Sequence, residues 1–297
     1  MEADAVADGN LTIGDDEFPA GKPQIRAPQP GPLDNFLSLL FPLRCVHCGR
    51  GGDWLCPECL AALEPIGPDR CRRCGRPARI DLSGRGLPGS SGLPGLREAP
   101  VPHALSGAGD PLASRDPAGC PECRGRRLPF SSAGAAFRYS GPARSLVHAL
   151  KYSGQRRLAR FMAAISADLS GLTRGTREVT LTYVPLHRSK LLARGYNHAG
   201  LYAQAVSRCL DLPLENLLTK CRPTPAQNRL NFHERRKNLS ESISLRRRDQ
   251  KAARRVILID DVYTTGSTAA ECAGVLREEM GVTVEVWTFA RTVKEKE

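Results

Sequence analysis

Residues 256–268 read VILIDDVYTTGST, and few folds accommodate such a string. Val256, Ile257, Leu258 and Ile259 are apolar enough for a central strand covered on both faces. Two carboxylates, Asp260 and Asp261, follow at once, and then Thr264, Thr265, Gly266, Ser267 and Thr268. A helical pattern runs over roughly 268–280, with Gly281 placed as its C-cap. The expectation is a strand ending at Ile259, with both acids emerging at the carboxyl edge of an open α/β sheet, where such folds bind ligands. Adjacent acids repel unless they share cations or hydroxyl donors, and a sugar diol with Mg²⁺ nearby supplies both. Gly266 lets a ligand approach the backbone closely. The free N–H groups and hydroxyls of the turn can surround a phosphate, aided by the helix dipole. A diol grip followed a few residues on by a phosphate grip describes a ribose 5-phosphate. An ordinary strand edge with an N-capped helix would explain one Thr and one Asp, but not the full set. No G-x-x-x-x-G-K-[ST] occurs anywhere, which disfavours a nucleoside triphosphatase P-loop.

The sequence from Phe130 onward supports the same fold class. Residues 135–139 read as a strand, and Leu146, Val147 and Leu150 take helical spacing. A second helical pattern carries Leu158, Phe161, Met162 and Ile165. Residues 179–184 form a strand stopped by Pro185. Asn197 serves as N-cap to a helix with Ala199, Tyr202, Ala203, Val206 and Leu210 on one face. A polar, basic stretch over 222–255 has no clear period, and VTVEVWTFA is a final strand. Strands alternating with helices predict an α/β domain with a mostly parallel sheet flanked by helices.

Ahead of this domain the cysteines dominate. Of 11 in the chain, eight form four C-x-x-C pairs: Cys45/Cys48, Cys56/Cys59, Cys71/Cys74 and Cys120/Cys123. Each pair can place two thiolates on a tetrahedral Zn²⁺, so the eight could hold two ions. Cys45, Cys48, Cys56 and Cys59 form a compact set. Cys71, Cys74, Cys120 and Cys123 would close a second site across a long loop, and an interleaved pairing stays open. Disulfides do not suit a chain without secretion signals, and redox C-x-x-C motifs rarely come four at a time. Cys209, Cys221 and Cys272 stand alone, two of them in helical patterns as small packing residues. The expected organisation is a disordered tail over 1–34, a zinc-ribbon module over 35–128, and an α/β domain over 129–297. The module carries a flexible Gly/Pro-rich insertion at 76–119, and the apolar segment 35–43 is expected to pack against it. GRGLPG inside the insertion has loop on both sides and Pro88 within, so it is no dinucleotide fingerprint.

At 41% apolar and 25% charged, the 297 residues have the composition of a folded protein, and no run reaches the length of a membrane span. The acidic start lacks the basic and apolar regions of a signal peptide, so a cytoplasmic location is expected. A net charge of +12 points to an anionic partner, nucleic acid or a phosphorylated small molecule, unless it is only a solvated surface of scattered Arg.

The 256–268 string resembles the phosphoribosyl pyrophosphate (PRPP) motif of type I phosphoribosyltransferases. With four C-x-x-C pairs ahead of it, and with ALKYSG (149–154), VPLHRSKLLARGYNHA (184–199) and TPAQNRLNFHERRKN (224–238), the chain resembles the ComF family of competence-associated proteins over about 35–297. The long 76–119 insertion departs from the family pattern. The resemblance implies a PRPP-binding phosphoribosyltransferase with structural Zn²⁺ and with Mg²⁺ accompanying PRPP. By position, Asp260 and Asp261 would contact the ribose hydroxyls and serve catalysis. Thr264, Thr265, Gly266, Ser267 and Thr268 would hold the 5-phosphate. Residues 186–195, with His187, Arg188, Lys190 and Arg194, would form a pyrophosphate loop, and Lys151 another cation. Residues 222–238 would be a lid, with Arg235 catalytic and Gln227 and Asn238 matching the family pattern. His187 as an ordinary loop histidine, and Arg235 to Lys237 as a solvated charge run, are the plainer readings. Two function classes follow. One is an enzyme transferring phosphoribosyl to an unidentified acceptor, linked to DNA uptake. The other is a non-catalytic PRPP- or nucleotide-responsive module that binds single-stranded DNA or a DNA-uptake protein.

Overall fold

The computed structural model describes residues 43–67, 70–77, 120–172, 175–176, 178–221, 242–246 and 254–293. The tail 1–34, most of segment 35–43, the insertion from 78 to 119, and the stretch carrying Gln227, Arg235 and Asn238 lie outside them.

Four parallel strands form the central sheet. They are β1 (Ser132–Arg138), β2 (Val179–Tyr183), β5 (Arg255–Tyr263) and β6 (Thr283–Arg291), in the order β1-β6-β5-β2. β5 is central, and its run Val256–Ile259 is apolar because both faces there are covered. On one face Ile257 and Ile259 pack with α2 (Gly141–Tyr152), α3 (Leu158–Ser166) and α5 (His198–Leu210) through Leu146, Leu158 and Tyr202. On the other, Val256 and Leu258 pack with α6 (Ser267–Met280) through Cys272 and Leu276. The alternation of strand side chains sends neighbours to opposite layers. A two-stranded antiparallel sheet, β3 (Leu218–Lys220) with β4 (Ile243–Leu245), joins the α6 layer.

The predicted elements are present with three differences, and the β3–β4 pair is an addition that no period in the sequence marks. β1 begins at Ser132 and ends at Arg138 instead of spanning 135–139. β5 does not stop at Ile259: β6 runs on to Arg291 and supplies ladder partners, pairing Asp260 with Thr288 and Tyr263 with Arg291. The acids therefore lie inside the strand, as its sixth and seventh of nine residues. Residues 186–195, expected as an anion-facing loop, fold instead as a short helix, α4 (Arg188–Arg194). It buries none of its residues, so no apolar period announced it. Local capping makes it: His187 Nδ1 accepts the Ser189 amide at 3.2 Å, and Gly195 ends it at φ 75°.

The cysteine module packs onto this domain, with one short helix of its own, α1 (Pro57–Ala61). Cys45 and Leu55 share a core with Phe137 and Leu146, and Cys74 and Leu128 share another with Tyr263 and Leu276. The two leading C-x-x-C turns are built alike. In each, the first cysteine's amide donates to the carbonyl five residues on, Cys45 to Arg50 and Cys71 to Arg76. The glycine after the second cysteine, Gly49 or Gly75, turns at positive φ.

Candidate functional site

At the carboxyl end of β5 the chain passes through Thr264, Thr265 and Gly266 into α6. Thr264, Thr265 and Ser267 are exposed and Gly266 is buried. Gly266, at φ 75°, is the N-cap of α6 and supplies no side chain to the first-turn amides. α5, by contrast, is capped by Asn197, whose Oδ1 accepts the Gly200 amide at 3.2 Å. A 14-residue helix thus opens on a hydroxyl-lined turn with no side-chain cap of its own, a disposition suited to an anion. Gly266 could be no other residue without rearrangement, since an added Cβ would lie 2.2 Å from the Tyr263 hydroxyl.

The two acids behind the turn have different surroundings. Asp260 is half-buried at the rim, and its Oδ1 accepts the Asp261 amide at 2.9 Å. Burial first, and then the neighbouring Asp261 charge, raise its carboxyl well above the usual carboxylate range. Asp261 is only 3% exposed and meets Lys151 of α2, whose Nζ lies 2.5 Å from Oδ2. Burial pulls the Lys151 ammonium down, but the charges of Asp261 and Asp260 outweigh it and hold it above its ordinary value. Lys151, expected to face a pyrophosphate, is therefore seated on the buried acid.

His198, the first residue of α5, completes the group and was not singled out by sequence. Its Nε2 lies 3.8 Å from Asp261 Oδ1, and Arg194 Nη1 donates to its Nδ1 at 3.0 Å. Burial pushes its pKa down to about 4, so it is neutral near pH 7. A guanidinium only donates, so Nδ1 carries the lone pair and Nε2 the proton, directed toward Asp261. His198, Asp260 and Asp261 have potential ligand atoms within 4.8 Å of one another. In this tautomer the imidazole is a partner of Asp261 and not a metal ligand.

Of the other expected residues, Arg188 and Lys190 form the exposed first turn of α4, beside the end of β2. Arg194 also stacks over Tyr152, with Cζ 4.9 Å from the ring centre. The fold thus brings Lys151, Asp260, Asp261 and Arg194 to one sheet edge, next to the Thr264–Thr268 turn. Arg235 lies outside the described residues.

The eight paired cysteines gather into two clusters, Cys45/Cys48/Cys56/Cys59 and Cys71/Cys74/Cys120/Cys123, which settles the pairing. Sulfur separations are 3.6 Å for Cys48–Cys56, 3.8 Å for Cys71–Cys123 and 3.5 Å for Cys74–Cys120. Four thiolates around Zn²⁺ at about 2.3 Å sit about 3.8 Å apart, whereas a disulfide needs about 2.05 Å. The donor sets fit structural zinc.

Comparison with known proteins agrees with this arrangement. Residues 36–90 match the double zinc ribbon domain family, a window that ends before Cys120. The chain is 35% identical over 159 residues to competence protein F of Haemophilus influenzae, covering 52% of this chain and 69% of that protein. The chain belongs to the ComF family. ComF relatives include DNA utilization protein YhgH of Escherichia coli, 30% identical over 182 residues, 59% of this chain and 78% of that one. Competence protein ComFC of Bacillus subtilis is 27% identical over 164 residues, 53% of this chain and 63% of that one. Among the described residues, no helix is long and apolar enough to cross a membrane.

Proposed function

We propose that this ComF protein binds PRPP at the carboxyl end of β5 and transfers its phosphoribosyl group with release of pyrophosphate, in a process connected with DNA uptake or use. The observation that carries the reading is the uncapped start of α6. Exposed Thr264, Thr265 and Ser267 lie there, two residues past the acid pair; the Thr265 hydroxyl meets the Ser267 hydroxyl at 3.0 Å and its amide at 3.4 Å, and the N-cap glycine offers the first turn no side chain. The 5-phosphate sits in that turn, and Asp260 at the rim takes the ribose hydroxyls. Asp261 stays below, fixed by Lys151 and His198, and keeps the strand end in place. The bond between C1′ and the pyrophosphate oxygen breaks as the acceptor's bond to C1′ forms. Arg188, Lys190 and Arg194, alongside, offset the charge gathering on the departing group. Mg²⁺, held by Asp260 together with the ligand's own oxygens, would neutralise the pyrophosphate. Titration calorimetry with PRPP, with and without Mg²⁺, tests the reading, followed by an acceptor screen for pyrophosphate release. Absence of binding at millimolar PRPP rejects it.

A second reading, a module that binds single-stranded DNA, has its own observation. The most exposed large apolar side chains among the described residues, Leu192 at 73% and Tyr152 at 63%, lie beside this same edge. Arg194 stacks over Tyr152, with Cζ 4.9 Å from the ring centre, and Arg156 lies nearby over the buried Tyr196 ring. Aromatic faces among cations suit stacked bases and a phosphate backbone. Fluorescence anisotropy with a labelled oligonucleotide should then show affinity that falls steeply with salt and falls further in Tyr152→Ala. A non-catalytic module keeps that affinity when Asp260 and Asp261 are both changed to Asn, whereas an enzyme loses pyrophosphate release.

A further inference from the structure

The turn that receives the phosphate is braced from outside, by residues belonging to the second cysteine cluster. Arg291, the last residue of β6, is 1% exposed. Its guanidinium donates to the Cys74 carbonyl and to the Glu122 carboxylate, and Nη2 lies 3.7 Å from Cys74 Sγ. Glu122 sits between Cys120 and Cys123, so one buried side chain ties together both halves of the Cys71/Cys74/Cys120/Cys123 cluster. The other side of that guanidinium lies against the Tyr263 ring, with Cζ 4.4 Å from its centre. Tyr263 ends β5, and its hydroxyl fills the space where Gly266 has no Cβ. A second tie runs in parallel. Arg126, three residues past Cys123, donates from Nη2 to the Thr265 carbonyl at 2.9 Å, and its own amide bonds to the Cys123 carbonyl at 3.0 Å.

The first cluster has no such link among the described residues. Its polar ties run elsewhere in the domain: His47 to Ser145 of α2 at 3.0 Å, and Glu64 and Ile66 to β1 and its end, through Ser140 at 2.7 Å and the Ala136 carbonyl at 2.8 Å. Cys45, Cys56 and Cys59 otherwise join the α2, α3 and α5 layer, away from the turn.

We infer that Arg291 and Arg126 are positioning residues through which the second zinc centre holds the Thr264–Thr268 turn in its phosphate-receiving shape, so that zinc occupancy there and phosphate binding are coupled. The inference rests on the phosphoribosyl reading of that turn. The physical argument concerns what metal loss does to these ties. A tetrathiolate zinc centre carries net negative charge, which together with Glu122 compensates the buried guanidinium. Without the metal, the 120–123 turn is joined to 71–74 only through Glu122, by Arg291 and Arg76, and Glu122 and Arg126 lose their fixed places. Arg291 then becomes an uncompensated buried charge, the turn loses both braces, and the amides at the start of α6 no longer converge. Coupling of this kind is reciprocal: a phosphate in the turn must tighten zinc at the second cluster by the same factor.

The test uses the full chain loaded with two zinc ions. Calorimetry first measures PRPP affinity, with ribose 5-phosphate as a probe lacking the pyrophosphate. Zinc affinity is then measured by competition with a chromophoric chelator, with and without each probe at saturation. The expected result is that one zinc equivalent binds at least about fivefold more tightly in the presence of the probe, and the other is unchanged. A first-cluster variant, Cys48→Ser, keeps the effect, and a second-cluster variant, Cys120→Ser, loses it along with PRPP affinity. Arg126→Ala, a partly exposed position that leaves zinc content at two per chain, weakens PRPP binding about fivefold and brings the coupling factor toward one. Arg126→Lys recovers part of both. Arg291→Met has the same effect where it folds, and Arg126→Ala decides the matter where it does not. PRPP that binds with no change in zinc affinity, or with unchanged strength to Arg126→Ala, overturns the coupling and leaves the PRPP reading standing. A zinc-loaded chain that binds neither probe overturns both.

Discussion

Asp260 and Asp261 are neighbours in sequence with opposite energetic roles. Asp261 is stabilised by Lys151, so removing the lysine leaves a carboxylate buried without its cation. Lys151→Met should cost about 3 kcal/mol of folding stability in urea denaturation, and adding Asp261→Asn should recover a large part of it. Asp260 lacks such a partner and is strained toward its neutral form. Its folded pKa lies above the unfolded one, so the folded chain holds that proton more tightly. The stability this confers is fully present below the ordinary carboxylate range and is lost as pH rises through the elevated folded value. Asp260→Asn should therefore unfold at higher urea concentration than the parent at pH 8. The gain is about 1.4 kcal/mol for each unit of elevation and should vanish near pH 4, while the variant loses PRPP binding. A variant more stable and less functional is the mark of an acid kept for a ligand. The acids themselves were legible in the sequence because they interrupt an apolar strand. Their partners were not, since Lys151 and His198 reach Asp261 only after α2 and α5 pack on one face of the sheet.

At the scale of elements, legibility followed burial. β5, α5 and α6 bury apolar stripes, and a buried stripe leaves a period in the sequence. α4 leaves none, because it is made by a cap at His187 and a left-handed Gly195 with all of its residues at least partly exposed. The end of β5 escapes the sequence for a related reason. Strand length is set by the neighbour it pairs with, and β6 extends to Arg291 where polar residues had suggested a stop. The turn between β5 and α6 depends on one residue. Gly266→Ala combines an unfavourable positive φ with a Cβ forced against the Tyr263 hydroxyl. It should lower stability by about 1–3 kcal/mol in thermal unfolding. Tyr263→Phe in the same chain should recover little of that loss, because the ring carbon Cζ still lies 2.5 Å from the new Cβ. A Gly266→Ala chain as stable as the parent would show that the turn is free to adjust, contrary to its proposed role as a preformed cradle.

For the whole molecule, the question is whether the cysteine module is a separate unit, as its composition suggested, or part of the fold. The sequence marks it off sharply, since C-x-x-C pairs and a Gly/Pro-rich insertion have no helical or strand period. Packing gives a different emphasis. Cys45 and Leu55 belong to the core beneath α2 and α3, Cys74 and Leu128 to the core beneath α6, and Arg291 ties the module to the end of the sheet. Neither core is closed without the module, so zinc that holds the module also holds the domain. Differential scanning calorimetry of the zinc-loaded chain should give a single transition for module and domain together. Structural zinc contributes on the order of 10 kcal/mol to the segments it folds, and a chain of this size shifts by roughly 2–4 °C per kcal/mol. Stripping both ions should thus lower the midpoint by roughly 10 °C or more, even if most of that energy is spent in the module. Two separated transitions, with the upper one indifferent to chelator, would instead mean that residues 129–297 fold alone. The shared cores would then be a docking surface between two independent units.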